Sequence, residues 1–387
     1  MFSSEPTTST GPYTLRRLGV LMRPEPDTPQ EALGVLNPGA ARGPDGTLYL
    51  FPRLVAVGNR STIGRAAVVH DPAGVPVGVR RMGTVLSPTQ EWERSGEHHA
   101  GVEDPRITWL AEAGVWVMAY TAYGPLGPRI ALAVSTDLGA WRRLGPVSFS
   151  WEPDLGADFN LYPNKDAAFF PEPVTAPDGT RAFAMLHRPF YDLWSVLPGA
   201  PTVVPRGVED DRASIWVSYV PLDDVLADIR ALVRLRSHQL VAAPEYKWEQ
   251  VKIGAGPAPI RVPGGWLLVH HGVSGTKSYD WPQPGVRYCA GAMLLDADDI
   301  TRVRWRSPTP LLEPQEPEET EGIVPQVVFP TALDPRPDGS ADVYYGMADD
   351  KIGVARLAPT AAGDPALPGD PALPGDPVRP EQRGESR

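Results

Sequence analysis

The sequence predicts an all-β protein, a five-bladed β-propeller, and three observations carry that prediction. Gly and Pro contribute 38 and 46 of the 387 residues, a load that long helices do not tolerate. The apolar segments are short, rich in Val, Tyr, Trp, Phe and Thr, and bounded by Gly, Pro or Asp, as strands separated by turns are. A weak internal repeat also runs along the chain: a polar or Gly/Pro-rich lead, a strand, a turn, a long aromatic or β-branched strand, a loop, and a further strand that often ends in Asp.

The first repeat opens near Asn37 with NPGAARGPDGTLYLFPRLVAV and continues through STIGRAAVVHD. The second opens near Asp104 with DPRITWLAEAGVWVMAYTAY and continues through RIALAVSTD. The third opens near Asp166 with DAAFFPEPVTAPDGTRAFAMLHRP, followed by IWVSYVPLDD. After it, PLDDVLADIRALVRLR (221–236) reads either as a short helix or as another strand. The fourth opens near Gly254 and contains GWLLVHHGV and CAGAMLLD; the fifth opens near Val324 and contains DVYYGMADD. The starts lie 67, 62, 88 and 70 residues apart. Antiparallel units of this size read as radial blades, because each small sheet must bury its faces against its neighbours; a two-sheet sandwich is the alternative. Residues 1–20 are expected to be a flexible segment, 21–357 the propeller, and 358–387 a disordered Pro/Gly-rich tail whose GDPALP repeat cannot join a ladder.

Composition narrows the function. With 36 Lys and Arg against 47 Asp and Glu, the net charge is −11, which opposes long-range attraction to nucleic acid or an anionic membrane. No uncharged stretch reaches membrane-spanning length, and the segment after the first residues lacks the apolar run of a secretory signal, so a cytoplasmic location is expected. The single cysteine, Cys289, excludes an intramolecular disulfide and a cysteine-rich metal site. The vicinal His270 and His271 point to opposite faces of a strand, a poor metal pair, and no metal is expected.

Charged and polar residues interrupt strand-like segments at corresponding places in the repeat: Glu103, Asp104 and Arg106; Asn164, Lys165 and Asp166; His187 and Arg188; His270 and His271; and Asp349. Equivalent strand starts converge on one end of a propeller, so these residues can line one pocket with acidic and basic walls. Arg188 and Lys252 suit an anion, and a carboxylate beside them suits proton transfer to a leaving oxygen. Each also has a plainer reading. Asp104 can cap a turn or pair with Arg106, Arg188 can be a rim salt bridge, and Asn164–Asp166 can be a turn. Trp266, Tyr123 and Tyr345 can stack on a sugar or pack between blades.

Taken together, GVEDPRIT (101–108), YTAY (120–123), NKDAAFFPE (164–172), LHRP (186–189), GAGPAPIRVPGGWLLVHHGV (254–273) and YYGMADDKIGVA (344–355) resemble glycoside hydrolase family 130 in order and spacing. The resemblance covers roughly residues 35–357. It implies inverting cleavage of a β-mannoside on a five-bladed propeller. Asp104 would be the catalytic acid, protonating the glycosidic oxygen through a sugar hydroxyl while inorganic phosphate attacks the anomeric carbon from the opposite face. The implied phosphate ligands are Asn164, Lys165, Arg188, Lys252 and His271. Arg53, Arg60, Glu103, Arg106, Tyr123, Asp166, His187 and Asp349 are the implied sugar-binding and pocket-organising residues.

The expected reaction is therefore phosphorolysis of a β-1,4- or β-1,2-linked mannooligosaccharide or mannosyl-glucose. It yields α-mannose 1-phosphate and a shortened acceptor, with phosphate as co-substrate and no other cofactor. Two alternatives stand beside it: a β-mannosidase drawing its base from Glu103, Glu172, Glu318 or Glu321, and a glycan-binding propeller without turnover. Self-association through exposed loops is left open.

Overall fold

A computed structural model describes residues 11–95, 100–193, 199, 202–276 and 285–360. The fold is all-β, as expected, with helical structure confined to a few short turns. Its strands form five antiparallel groups. The first comprises Gly34–Arg42, Leu48–Ala56, Arg60–His70 and Pro76–Leu86, and the second Ala100–Leu110, Val115–Gly124, Gly127–Ser135 and Arg142–Pro146. Two parallel pairs, Arg60 with Ala100 and Ser61 with Gly101, join these two groups into one sheet. The third is built on Asn164–Phe169, Arg181–Pro189, Ile215–Pro221 and Arg234–Ala242, and the fourth on Lys252–Ala255, Gly265–Gly275, Val286–Leu295 and Val303–Arg306. The fifth takes Val328–Pro335, Ala341–Met347 and Lys351–Pro359 from the end of the chain and Tyr13–Met22 from its beginning.

That last pairing corrects the expected boundaries. Residues 13–20, assigned to a flexible segment, lie in a strand whose register runs from Tyr13 opposite Pro359 to Met22 opposite Ile352. The strand YTLRRLGVLM packs on both sides: Leu18 and Leu21 join the cluster shared with the first group, and Tyr13 and Leu15 the cluster shared with the fourth. Residues 358–360 continue the same pairing, and the remainder of the expected tail, 361–387, lies outside the described residues, as do residues 1–10. The ambiguous stretch 221–236 divides into a helix at Leu222–Ala227, a 3-10 turn at Ile229–Val233 and the start of the strand Arg234–Ala242. No helix among the described residues is long and apolar enough to cross a membrane.

The core lies between the groups. Phe51, Met118 and Tyr120 pack the first against the second; Phe169, Phe183 and Trp216 belong to the cluster between the second and third. Phe170, Ile253 and Trp266 fill the space between the third and fourth, Leu267 and Val343 that between the fourth and fifth. Leu50, Tyr344 and Val354 then pack the fifth onto the first. Each large side chain fully buried in these seams contributes about 1.5–3 kcal/mol.

A recurring ionic clasp ties each group to its lead-in segment. Just before the first strand of a group, a buried glutamate at a short turn receives an arginine from that group's outermost strand. The pairs are Glu31 with Arg81 (2.8 Å), Glu93 with Arg143 (2.7 Å), Glu249 with Arg306 (2.6 Å) and Glu319 with Arg17 (2.8 Å). Backbone N–H groups complete each carboxylate's shell, for example Thr89 and Gln90 on Glu93 and Gln315 and Glu316 on Glu319. Middle-strand donors join three of them: Tyr120 to Glu93, His270 to Glu249 and Tyr345 to Glu319. In the third group the arginine is replaced by the backbone N–H of His238, which donates to Glu152.

Removing one of these glutamates strands a partly buried guanidinium and several N–H donors at once. Glu93→Ala should therefore cost about 3 kcal/mol or more in a denaturant titration. Arg230→Ala, which breaks an exposed pair with Asp228 and leaves the backbone cap of Asp228 in place, should leave the midpoint unchanged.

Candidate active site

The site is built from a shared backbone irregularity. The first strands of the first three groups each carry a register shift, at Leu36/Gly39, Glu103/Arg106 and Lys165/Ala168. Inside those shifts, Asn37 (φ 43°), Asp104 (φ 48°) and Asp166 (φ 58°) adopt the left-handed conformation. Asn and Asp enter that region more readily than other side-chain-bearing residues, and a bulge re-aims the side chain it carries. The result is convergence. Asn37 Nδ2 donates to Asp104 Oδ1 at 2.9 Å, and Arg106 bridges the Asp104 carbonyl (2.7 Å) and Asp166 Oδ1 (3.3 Å). Two glycines make room: a Cβ on Gly346 would stand 2.0 Å from Asn37 Oδ1, and one on Gly254 would stand 2.3 Å from Asp166 Oδ2.

These residues border a cavity of about 730 Å³ lined by all five groups. One side holds Asp104, Glu103, Arg53, Lys165 and Asp349. Arg53 donates to Asp104 Oδ1 (3.2 Å), Glu103 Oε1 (3.0 Å) and Ser61 Oγ (2.8 Å). Lys165 Nζ reaches Glu103 Oε2 at 3.2 Å and lies over the Tyr123 ring. Two further lining residues are cationic. Arg188 donates from Nε to Asp166 Oδ2 at 2.6 Å, lies over the Phe190 ring and leaves its buried Nη1 without a protein acceptor. Lys252 stands nearby over Phe190 and Tyr288.

The electrostatics separate the carboxyl groups. Burial pushes Asp104 up, but Arg53, Lys165, Arg106 and the Asn37 hydrogen bond outweigh it and hold the group below its ordinary value. Asp166, buried between Arg188, His271 and Arg106, is lowered further. Asp349 goes the other way: burial, reinforced by Asp104 and Glu103 and only partly opposed by Arg53 and Lys165, raises it to about 6. The cavity thus pairs an ionised aspartate with one that takes up a proton near pH 6, beside the cations Arg188 and Lys252.

Of the residues singled out in the sequence, Asp104, Lys165, Arg188, Lys252, Arg53, Glu103, Tyr123, Asp166 and Asp349 meet at this cavity. Asn164, His187 and His271 do not line it. Successive residues of a strand face opposite sides, so placing Lys165 and Arg188 toward the cavity turns their neighbours Asn164 and His187 inward, where they bond each other at 3.0 Å. His271 is buried 3.5 Å from Asp166 Oδ2, and Arg106 sits beneath the floor. Arg60 is exposed at a strand start, and Asn59 takes the place at the rim. Trp266 and Tyr345 are core residues, the latter on Glu319. Among the glutamates considered as bases, only Glu103 lines the cavity; Glu172 borders a separate hollow near Trp109, and Glu318 pairs with Arg23. Sequence reasoning passed over Asn37, Phe190, Tyr288, Asp211 and Arg212 as site residues, although Asn37, Asp104 and Asp166 each open a repeat. A left-handed Asx at that recurring position is the signal that links them. No cluster of metal-ligating side chains is found among the described residues.

Because the folded-state value of Asp349 lies above its ordinary 3.8, its ionisation opposes folding. That cost is absent below about pH 4 and fully present above about pH 6. Asp349→Asn should accordingly raise stability at pH 7.5 by about 2–3 kcal/mol and change it little at pH 4, as read by chemical unfolding at the two pH values.

Comparison with known proteins places this geometry. A curated relative, the 1,2-beta-oligomannan phosphorylase of Thermoanaerobacter sp. (strain X514), is 32% identical over 260 residues, 66% of this chain and 68% of that one. The beta-1,4-mannooligosaccharide phosphorylase of Ruminococcus albus is 39% identical over 119 residues, 30% of this chain and 34% of its own. Among solved structures, the beta-1,2-mannobiose phosphorylase from Listeria innocua, in complex with beta-1,2-mannobiose, superposes with a TM-score of 0.65 at 20% identity, covering 88% of this chain and 96% of that one. The profile of the family described as beta-1,4-mannooligosaccharide phosphorylase matches residues 17–360, and the chain belongs to that family, glycoside hydrolase family 130.

Proposed function

We propose that the five strand groups are the blades of a β-propeller and that the cavity catalyses inverting phosphorolysis of a β-mannoside. The observation that carries this reading is the cationic pole formed by Arg188 and Lys252 in the same cavity as Asp104. Arg188 is buried and fixed by Asp166 on one edge, with a further N–H still to be satisfied. A guanidinium held in this way suits a tetrahedral oxyanion better than a neutral sugar hydroxyl.

In the step this geometry supports, HPO₄²⁻ attacks the anomeric carbon as the glycosidic C–O bond breaks. The leaving oxygen takes its proton from a hydroxyl of the bound mannosyl unit, which is reprotonated through Asp104; that carboxylate is ionised at rest and is loaded with the proton of Asp349, whose carboxyl is raised to about 6. The phosphate proton, lost as the ester forms, restores the Asp104–Asp349 pair, so no net proton is consumed. Arg53, Asn37 and Arg106 hold the Asp104 carboxylate in place during the exchange. Asp349, protonated near pH 6, supplies a hydroxyl donor beside it. The products are α-mannose 1-phosphate and the shortened acceptor. A cytoplasmic reaction fits the lone, buried Cys289.

Hydrolysis needs a carboxylate free to activate water from the opposite face. Glu103, the one considered base at the cavity, is committed to Arg53 and Lys165, which weighs against it.

The test is cleavage of β-1,2- and β-1,4-mannobiosides with and without inorganic phosphate, with detection of mannose 1-phosphate. Phosphate-dependent ester is expected; phosphate-independent mannose would overturn the reading. Asp104→Asn should reduce kcat by about 10²–10⁴ with the fold intact by circular dichroism. Arg188→Lys should raise the KM for phosphate by about tenfold and leave the KM for the mannoside within about twofold.

A further inference from the structure

Behind the cationic pole lies a line of buried polar groups that crosses the whole third strand group. It begins at Asn164, whose Nδ2 is 3.0 Å from His187 Nδ1. His187 Nε2 is 2.8 Å from Ser218 Oγ, Ser218 Oγ is 2.8 Å from His238 Nδ1, and His238 Nε2 is 2.9 Å from the Ser150 carbonyl oxygen. Every side chain in the line is buried, His187 and Ser218 completely. The rings of Phe149 and Phe159 flank both imidazoles, with centroids 4.8–5.7 Å away. A buried hydrogen-bond line of this length in an apolar sleeve calls for a reason beyond packing, because each member left unpaired would be costly.

The direction of the line follows from its ends. The Ser150 carbonyl can only accept, so His238 carries its proton on Nε2. Burial depresses both imidazoles, His187 the more strongly, and keeps them neutral. A neutral His238 must then accept at Nδ1, which makes Ser218 its donor. Ser218 accepts in turn from His187 Nε2–H, and His187 Nδ1 accepts from Asn164. The amide of Asn164 is thereby locked with its NH₂ group inward. Asn164 is the residue before Lys165 and Asp166, and in the ladder it pairs with Pro189 while Lys165 pairs with Arg188.

We propose that His187, Ser218 and His238 are positioning residues: a one-directional hydrogen-bond chain that holds Asn164, and through it the Lys165–Asp166 bulge and the facing Arg188, in the anion-binding conformation. This rests on the phosphorolysis reading of the cavity. None of the three touches the substrate; they act through the backbone of two adjacent strands. His187, expected from sequence to bind sugar, is reassigned to this role.

Substitutions that cut the chain on different sides separate positioning from simple stability. In His187→Asn, the amide oxygen occupies the place of Nδ1 and still accepts from Asn164. In His187→Gln, the amide nitrogen occupies the place of Nε2 and keeps the Ser218 contact while losing Asn164. Ser218→Ala frees His187 to move its proton to Nδ1, which sets two donors against each other at Asn164. Isothermal titration of inorganic phosphate into the full-length protein should show binding about tenfold weaker in His187→Gln and Ser218→Ala, and within about threefold of the parent in His187→Asn. A merely structural role would lower the thermal midpoint of all three variants and leave phosphate affinity without that ordering. Equal phosphate affinity across the set would overturn the proposal.

Nitrogen-15 spectra of the imidazoles in the unliganded protein give an independent readout. A protonated Nε2 and an unprotonated Nδ1 are expected for both His187 and His238. A proton on His187 Nδ1 would overturn the chain even if phosphate binds. A parent protein that binds no phosphate would remove the functional reading and the clamp together, while the spectra would still decide whether the chain exists.

Discussion

Three left-handed residues set the arrangement on which the rest of the molecule depends. Asn37, Asp104 and Asp166 occupy the same place in three successive groups, each at a register shift of a first strand. Such a conformation costs on the order of 1 kcal/mol per residue, and it persists only where the surroundings over-determine it. Here the surroundings are the Asn37–Asp104 hydrogen bond, the Arg106 bridge and the space left by Gly254 and Gly346. An extended backbone at these positions would keep each side chain within its own sheet's pleat. The bulges instead turn three side chains from three sheets toward one another.

Charge balance follows from that convergence. Asp104 and Asp166 are brought together out of water, and each is matched by guanidinium groups: Arg53 on the first, Arg188 on the second and Arg106 between them. Glu103 absorbs a second hydrogen bond from Arg53 and the charge of Lys165. Asp349 is buried beside these already paired charges, and burial raises its carboxyl while that of Asp104 falls. Around Asp166 the balance tips the other way. Asp166 meets both Arg188 and Arg106, with Lys252 close by and His271 kept neutral by burial, and the remaining positive potential is what an anionic co-substrate would meet.

The fold class was legible because strand length, turn residues and the repeat all agree, and the repeat starts at Asn37, Asp104 and Asp166 fell on the three functional bulges. The third interval, 88 residues, is long because the segment 190–213 separates the strands Arg181–Pro189 and Ile215–Pro221 and the helix Leu222–Ala227 follows the latter. What local sequence could not convey was facing. Asn164 with Lys165, and His187 with Arg188, read as adjacent pairs of polar ligands, yet a strand sends neighbours to opposite sides, so half of each pair belongs to the buried chain and half to the cavity. The clasp glutamates were missed for another reason. Glu93 and Glu249 sit in WE dipeptides before a group's first strand, a recurrence recognisable only once the arginine partners on distant strands are known. The pairing of Tyr13–Met22 with Lys351–Pro359 spans almost the entire chain and leaves no local trace.

That pairing has a bearing on how the molecule comes to exist during translation. The strand Tyr13–Met22 leaves the ribosome early, but its partner Lys351–Pro359 is made more than 300 residues later. At bacterial or eukaryotic elongation rates the interval is on the order of 20–60 s. Throughout it, a strand with apolar side chains on both sides has nothing native to pair with, and Arg17 has no Glu319 to meet. Asp349 is encoded in the same late stretch, just ahead of the closing strand. A nascent chain therefore lacks part of the cavity lining until the closing strand follows, and completion of the cavity and pairing of Tyr13–Met22 become a single late event.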